Sequence, residues 1–319
     1  MFKHSAIVIA ALFAAAPVAG AQYPERPIRM IVPFAPGGGS DISARTMSEA
    51  LGHALGTTIV VDNRPGAGSS LGTDIATSSS PDGYTTLLGN ISMAFNAALY
   101  KKLPYNALRD LAPISLATEQ PNIIVAHPSL PAKNFREFIA LARSQPGKLT
   151  YASAGLGSGT HLAMEMLMMS QKISLVHVPY KGTGPAIAAL LGNETNAFMS
   201  TFASALPHVK ANRLRGIAVT TKNRASPLPD VPTVAESGVP GFEYATWYGI
   251  LAPAATPKPI IDKLNKAIVA TLTTPEIVKR YENQGMEAKP TTPAEFVKLF
   301  KDETAKWAKV VREAKIPQQ

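Results

Sequence analysis

The chain contains no cysteine. That absence removes a disulfide framework, a thiolate metal site and a thiol nucleophile together. Its six histidines (His4, His53, His127, His161, His177 and His208) fall at no metal-binding spacing, so neither a metal nor a cofactor is expected. No serine sits in a Gly-x-Ser-x-Gly elbow, and no Walker lysine follows a glycine loop. The basic residues are scattered singly rather than clustered among aromatics, which argues against nucleic acid as a partner. Past residue 21 no stretch is apolar enough to span a bilayer, which takes about 20 residues.

What is present is a chain of 319 residues, 46% of them hydrophobic, with 27 prolines and 23 glycines. That length suits two domains, built from many short elements joined by defined turns. The formal charge of +9 favours attraction of small anions. Residues 1–21 read as a secretory signal: Lys3 and His4 form a basic start, an apolar centre follows, and Ala19-Gly20-Ala21 offers a cleavage site. The mature chain is therefore expected to be exported and periplasmic.

The most informative stretch is 28–55. Ile28-Arg29-Met30-Ile31-Val32 fits a buried strand, and Pro33-Phe34-Ala35-Pro36 leads into Gly37, Gly38 and Gly39. Ser40 and Asp41 follow, and apolar residues then recur at helical spacing from Ile42 through Met47 and Leu51 to Leu55. A strand feeding a glycine turn that opens a helix presents bare amides at the positive end of the helix dipole, a ready anion site. Ser40 or Asp41 is the expected N-cap. Ser40 in contact with the anion and Asp41 turned inward avoids repulsion. The same loop could also be a plain strand–helix connection.

The pattern then repeats. A β-branched strand at 57–62 is followed by a second glycine turn (Asn63-Arg64-Pro65-Gly66-Ala67-Gly68-Ser69), a helix at 70–77 and a strand at 84–89. Asn90 and Ser92 start a further helical segment as caps or ligand donors. Alternation of this kind argues for a parallel sheet flanked by helices, with ligands beyond the carboxyl ends of the strands. Residues 111–127 hold two apolar runs and read as a crossing to a second lobe. An amphipathic helix (134–144) and a strand (149–152) follow. Ser153-Ala154-Gly155-Leu156-Gly157-Ser158-Gly159-Thr160 then forms a glycine and hydroxyl loop before a helix at 161–169. This loop is not the Gly-x-Gly-x-x-Gly dinucleotide fingerprint. Ser158, Thr160 and His161 are extra donors there, His161 being alternatively a capping or packing residue. The methionines at 164, 166, 168 and 169 read as core.

A third strand–glycine–helix unit spans 174–191, with Pro185 at the first helical position and Lys181 either reaching the anion or solvating the rim. A strand at 195–199, a helix at 202–212 and a strand at 214–220 come next. A proline-pinned loop with a short helix follows at 228–242, and 244–251 crosses back. Helices at 258–273, 275–284 and 293–314 pack against the first lobe. Phe34, Trp247 and Tyr248 could supply a flat wall, with Trp247 more simply hinge packing.

Several separated motifs together carry a resemblance: Val32-Pro33-Phe34-Ala35-Pro36-Gly37-Gly38-Gly39-Ser40-Asp41, Asn63-Arg64-Pro65-Gly66-Ala67-Gly68, Tyr151-Ala152-Ser153-Ala154-Gly155, His177-Val178-Pro179-Tyr180-Lys181-Gly182 and Leu228-Pro229-Asp230-Val231-Pro232-Thr233. The sequence resembles the periplasmic solute-binding receptors of tripartite tricarboxylate transporters, the Bug proteins, along its whole mature length. The resemblance implies an α/β periplasmic binding protein of Venus-flytrap form, each lobe a mainly parallel sheet flanked by helices. Lobe 1 would hold 22–122 and 246–319, and lobe 2 would hold 123–245. It implies a ligand carboxylate held at Pro36, Gly37, Gly38, Gly39, Ser40 and Asp41 and by the opposing Ala154, Gly155, Gly157, Ser158, Gly159, Thr160 and His161. Phe34, Asn90, Ser92, Lys181 and Thr201 complete the expected site. Asn196 stands where relatives usually carry an acid, which favours a ligand without an amine. The implied role is binding, not catalysis: a monomeric receptor delivering a small carboxylate to integral-membrane permease subunits. Dicarboxylates, amino acids and aromatic acids such as nicotinate or terephthalate remain open. So do a membrane-kinase sensor role and a secreted carboxylate-ester hydrolase.

Overall fold

The computed structural model describes residues 23–313; the expected leader lies outside them. The first half-sheet is built from β1 (Ile28–Val32), α1 (Gly39–Leu55), β2 (Ile59–Asn63), a 3-10 turn (Ala67–Ser69), α2 (Ser70–Thr77), β3 (Thr85–Asn90) and α3 (Ser92–Leu99). A single turn, α4 (Ala107–Asp110), leads into β4 (Leu111–Ala126). The second half-sheet follows as α5 (Phe135–Ser144), β5 (Thr150–Ser153), α6 (Gly159–Gln171), β6 (Val176–Pro179), α7 (Thr183–Leu191), β7 (Ala197–Thr201), α8 (Phe202–Lys210) and β8 (Arg215–Val219). The chain returns along β9 (Ala245–Pro253) and ends with α9 (Lys258–Leu272), α10 (Pro275–Asn283), the two-residue β10 (Glu287–Ala288) and α11 (Pro293–Glu313).

The ten strands among the described residues join in one curled sheet, with the path β2-β1-β3-β9-β4-β7-β5-β6 and with β8 and β10 paired to β4. β1 lies parallel between β2 and β3, and β5 parallel between β6 and β7. β4 holds the two lobes together. Its 16 residues span about 50 Å at 3.3 Å per residue, long enough to serve both. Residues 111–121 pair antiparallel with β9, and residues 122–126 pair with β7 and β8. Register shifts at Pro113/Ser115, Leu116/Thr118 and Ile124/Val125 bend it, as bulges do. The two apolar runs expected at 111–127 are therefore one strand. The polar residues between them, Gln120 and Asn122, are almost fully buried because they lie where the lobes meet.

Packing explains most element choices. Ile28, Met30, Ile31 and Val32 are buried on both faces of β1, as a central parallel strand requires. The stripe Leu264 and Ile268 of α9 joins Met47 and Leu51 of α1 over that half-sheet. From α11, Phe296, Phe300 and Trp307 pack with Phe95 and Trp247, the Trp247 ring lying edge-on to Phe296 at 5.7 Å.

Several expectations shift. Both glycine-led helices start earlier than their apolar periodicity: α1 at Gly39 rather than Ile42, α6 at Gly159 rather than His161. A first turn that points at a cleft has no core to face, so hydrophobic spacing cannot register it. Pro185 is the third residue of α7, not the first, still within the turn whose amides need no helical partner. No helix forms at 228–242, where the prolines hold successive turns instead. Of the four methionines read as core, Met169 is 47% exposed.

Candidate functional site

Between the lobes lies a narrow cavity of about 20 Å³, room for roughly one water molecule. Five helices begin on its wall. Gly39 and Ser40 open α1, Ser92 opens α3, Gly159 and Thr160 open α6, Thr183 opens α7, and Thr201 is the N-cap of α8. The remaining lining comes from Phe34, Asn90, Ile91, Ala154, Ser158, Thr246 and Tyr248. Eight of these side chains carry a hydroxyl, one carries an amide, and none is ionised. Five positive dipole ends with no formal charge of either sign define an anion site built from partial charges.

The first turn of α1 is arranged for a guest. Its N-cap is Gly38, which offers no capping side chain, in place of the expected Ser40 or Asp41. The helical ladder begins only with the Ile42 amide donating to the Gly38 carbonyl at 2.9 Å, so it supplies no partner for the Gly39 and Ser40 amides. Asp41 faces away from the cavity. Its carboxylate accepts from the Gly37 amide (3.0 Å), Arg45 Nε (2.9 Å) and Asn63 Nδ2 (3.1 Å). An acid in the first turn is thereby neutralised rather than aimed at an incoming anion.

The opposite loop differs from expectation. Its amides are not bare. Ala154 N–H donates to Thr160 Oγ1 (2.8 Å), Gly155 N–H to Ser153 Oγ (3.0 Å), Gly157 N–H to His161 Nδ1 (3.3 Å) and Ser158 N–H to the Gly155 carbonyl (3.0 Å). Gly159 N–H crosses the cleft to Ser92 Oγ at 3.0 Å. Ser158 Oγ caps α6 by accepting from the His161 amide (3.3 Å). What this loop turns toward the cavity is hydroxyl and methyl groups.

Of the residues expected at the site, Phe34, Gly39, Ser40, Asn90, Ser92, Ala154, Ser158, Gly159, Thr160 and Thr201 line the cavity. The others do not. Pro36 and Gly37 are exposed at the seam, with Gly37 against Gly184, and Gly38 abuts Thr183. Gly155 and Gly157 sit against Tyr180 and Asn96 respectively. Lys181 is exposed on the rim, its carbonyl accepting from the Ala35 amide across the seam at 3.1 Å. His161 lies behind the loop, stacked on His177 at 4.2 Å, and burial with the neighbouring imidazole depresses it to about 3. Burial likewise lowers His177 to about 4.

Four lining residues were not assigned to the site from sequence: Ile91, Thr183, Thr246, and Tyr248 in a hydrogen-bonding role. Thr246 and Tyr248 are two apart on β9, so they share one face, a signal visible in the sequence. Tyr248 accepts from Gln120 Nε2 at 2.9 Å, and the Gln120 carbonyl oxygen accepts from the Ala203 amide at 3.0 Å. Burial raises the phenol far above its ordinary range, so it keeps its proton and can donate it into the cavity. Thr246 donates to Asn122 Oδ1 at 2.7 Å.

A two-lobed α/β body with a polar, uncharged cavity where helix N-termini converge is the form of a periplasmic binding protein. The solved structures bear this out. The chain superposes on periplasmic binding protein BugD with a TM-score of 0.91, at 35% identity over 93% of this chain and all of that one. It superposes on MatC of Rhodopseudomonas palustris with bound malate at 0.86 and 32% identity, covering 91% and 100% of the two chains. An R. palustris protein with adipate gives 0.90 and 30% identity, covering 93% and 100%. By sequence it is 38% identical over 309 residues to protein BugT of Bordetella pertussis, covering 96% of this chain and 95% of that one. Residues 43–316 match the tripartite tricarboxylate transporter family receptor profile, and the chain belongs to that family.

Proposed function

We propose that this protein is an extracytoplasmic receptor that binds a small organic carboxylate between its lobes and delivers it to a membrane permease. The supporting observation is the convergence of five helix N-termini and eight hydroxyls on a cavity with no ionised side chain. Such a wall stabilises negative charge while leaving no acid to hold an amine and no nucleophile–base pair to perform chemistry. The family assignment and the malate- and adipate-bound neighbours support the same reading. In it, residues 1–21 direct export and are removed, the protein acts as a monomer, and the lobes divide at 122/123 and 245/246, close to where β4 passes from β9 to β7 between Pro121 and Asn122.

The proposed contacts are the amides of Gly39 and Ser40 and the hydroxyls of Ser40, Ser92, Ser158, Thr160, Thr183, Thr201 and Tyr248, while Thr246, its proton committed to Asn122 Oδ1, completes the wall. Asn90 is oriented by accepting from the Ser92 amide at 2.9 Å, and Phe34 and Ala154 give apolar surface. Each helix end contributes about 0.3–1 kcal/mol, up to about 2 when partly buried. Each hydrogen bond to a charged group adds about 1.5–3 kcal/mol. A few of each exceed the roughly −8 kcal/mol of a micromolar complex, and the excess offsets ordering and closure.

The cavity is smaller than any organic acid, so the ligand enters as the lobes part and is enclosed when they meet again. Titration calorimetry with malate, succinate, adipate, nicotinate and terephthalate is the direct test. Micromolar binding of at least one, with no response to neutral sugars, is the expected result. Stabilisation by sugars or nucleotides alone would refute the assignment.

A further inference from the structure

The loop that faces the cavity from the second lobe is held from behind. Gly157 N–H donates to His161 Nδ1 at 3.3 Å, and Gly155 N–H donates to Ser153 Oγ at 3.0 Å. Ser153 Oγ lies 2.6 Å from His177 Nε2. The imidazoles of His161 and His177 stack at 4.2 Å with 19° between their planes, and Tyr151 stacks on the other face of His177 at 4.9 Å and 16°. The Tyr151 hydroxyl donates to Glu165 Oε1 at 2.6 Å, and that carboxylate lies 3.7 Å from His161 Nε2. None of these five side chains touches the cavity.

An acceptor at Nδ1 requires a neutral ring with its proton on Nε2. His161 follows Ser158 by three positions and Gly157 by four, so one helical turn brings its ring back under the loop it closes. Gly157 itself has φ +74, and the bond to Nδ1 holds its peptide in that left-handed turn. The next three residues, Ser158, Gly159 and Thr160, are cavity wall. Displacing the Gly157 peptide therefore displaces the hydroxyls that the proposed ligand would meet.

We propose that His161 is a positioning residue for ligand binding: its Nδ1 clamps the Gly157 amide, and the stack on His177 fixes the ring that carries it. The inference rests on the proposed receptor function for its consequence, but the clamp can be observed without a ligand.

Three proteins separate the possibilities: wild type, His161→Phe, which keeps a stacking ring without an acceptor, and His161→Asn, whose Oδ1 can occupy the place of Nδ1. Nitrogen-15 spectra of the unliganded wild type should show His161 protonated on Nε2 and accepting at Nδ1. Amide exchange at Gly157 should be at least tenfold faster in the Phe variant and near wild type in the Asn variant. Calorimetry with whichever probe carboxylate the wild type binds should show tenfold or greater weakening in the Phe variant, and recovery to within about threefold in the Asn variant. A proton on Nδ1, or Gly157 exchange that is equal in all three proteins, overturns the clamp. Equal affinities despite altered exchange overturn its role in binding. A wild type that binds no carboxylate counts against the receptor function, while the spectra and exchange still decide the clamp.

Discussion

Tyr248 shows how one side chain is given a single task. Its oxygen accepts from Gln120 Nε2, and burial keeps the phenol protonated, so its one O–H remains for the cavity. Tyr248→Phe removes that donor and little volume. Affinity for the bound carboxylate should fall about 10- to 100-fold, the equivalent of roughly 1.5–3 kcal/mol for a bond to a charged group. Calorimetry on the variant checks this, and an unchanged Kd would remove Tyr248 from the site. The imidazole cluster makes a second prediction at this scale. His161 and His177 titrate near 3 and 4 in the folded chain, below the ordinary 6.5, so between those values the unfolded chain binds more protons. Stability then falls as pH drops from about 6.5 toward 4. Glu165, raised by burial, holds a proton longer in the folded state and opposes part of that loss; Tyr151 stays neutral throughout. The net change should be read as a melting temperature that falls over this window, a fall that His177→Phe flattens. Identity alone did not reveal these roles. His161 was an evident donor by sequence, yet its ring lies behind the wall because it is the third residue of a helix whose first two, Gly159 and Thr160, form that wall.

At the scale of elements, the helix N-terminus is the repeated device, and its use depends on the cap. α6 is capped by the side chain of its own N-cap Ser158, whereas the N-cap of α1 is Gly38, with no side chain to cap it. Placing a hydroxyl there sets the protein against its ligand. Gly38→Ser fits sterically, since a Cβ would lie 3.4 Å from Thr183 Cβ, and the extended φ of −86° suits serine. Its side chain would accept from the α1 amides and stabilise the unliganded protein by a few tenths of a kcal/mol. Ligand affinity should fall several-fold because the same amides are no longer free. A melting curve and a titration together test this, and tighter binding would contradict the assignment of those amides. Strand–glycine–helix units were legible in the sequence at 28–55, 149–169 and 174–191, because glycine, proline and apolar spacing are local signals. Whether a given glycine loop has free amides was not legible, since the acceptors that occupy the 154–158 loop come from Ser153, Thr160 and His161 in three dimensions.

For the whole molecule the question is closure. The lobes meet through hydrogen bonds that each use a backbone group on at least one side: Ala35 N–H donates to the Lys181 carbonyl at 3.1 Å, Gly159 N–H to Ser92 Oγ, and the Tyr100 hydroxyl to the Leu156 carbonyl at 3.3 Å. Gly184, in the first turn of α7, lies against Pro36 so closely that a Cβ would run into the Pro36 carbonyl oxygen. Gly184→Ala leaves the cavity wall intact but props the seam. Small-angle scattering should show the wild type compacting on ligand addition and the variant failing to. Affinity should weaken at least tenfold, mainly through faster dissociation. Full compaction in the variant would show that the two surfaces do not meet at closure.

The sequence by itself determined the alternating α/β architecture, the crossing strands, the glycine turns at the carboxyl ends of the strands and the resemblance to its receptor family. These follow from local pattern: hydrophobic period, turn residues and caps act within a few positions of themselves. Only the tertiary structure decided which loop residues face the cavity, that Thr183, Thr246 and Tyr248 join them, that Asp41 turns to Arg45, and that His161 supports the wall from behind. Those outcomes depend on which hydrogen-bond partners arrive from the other strands and the other lobe, and a buried polar group takes the partner that folding brings to it.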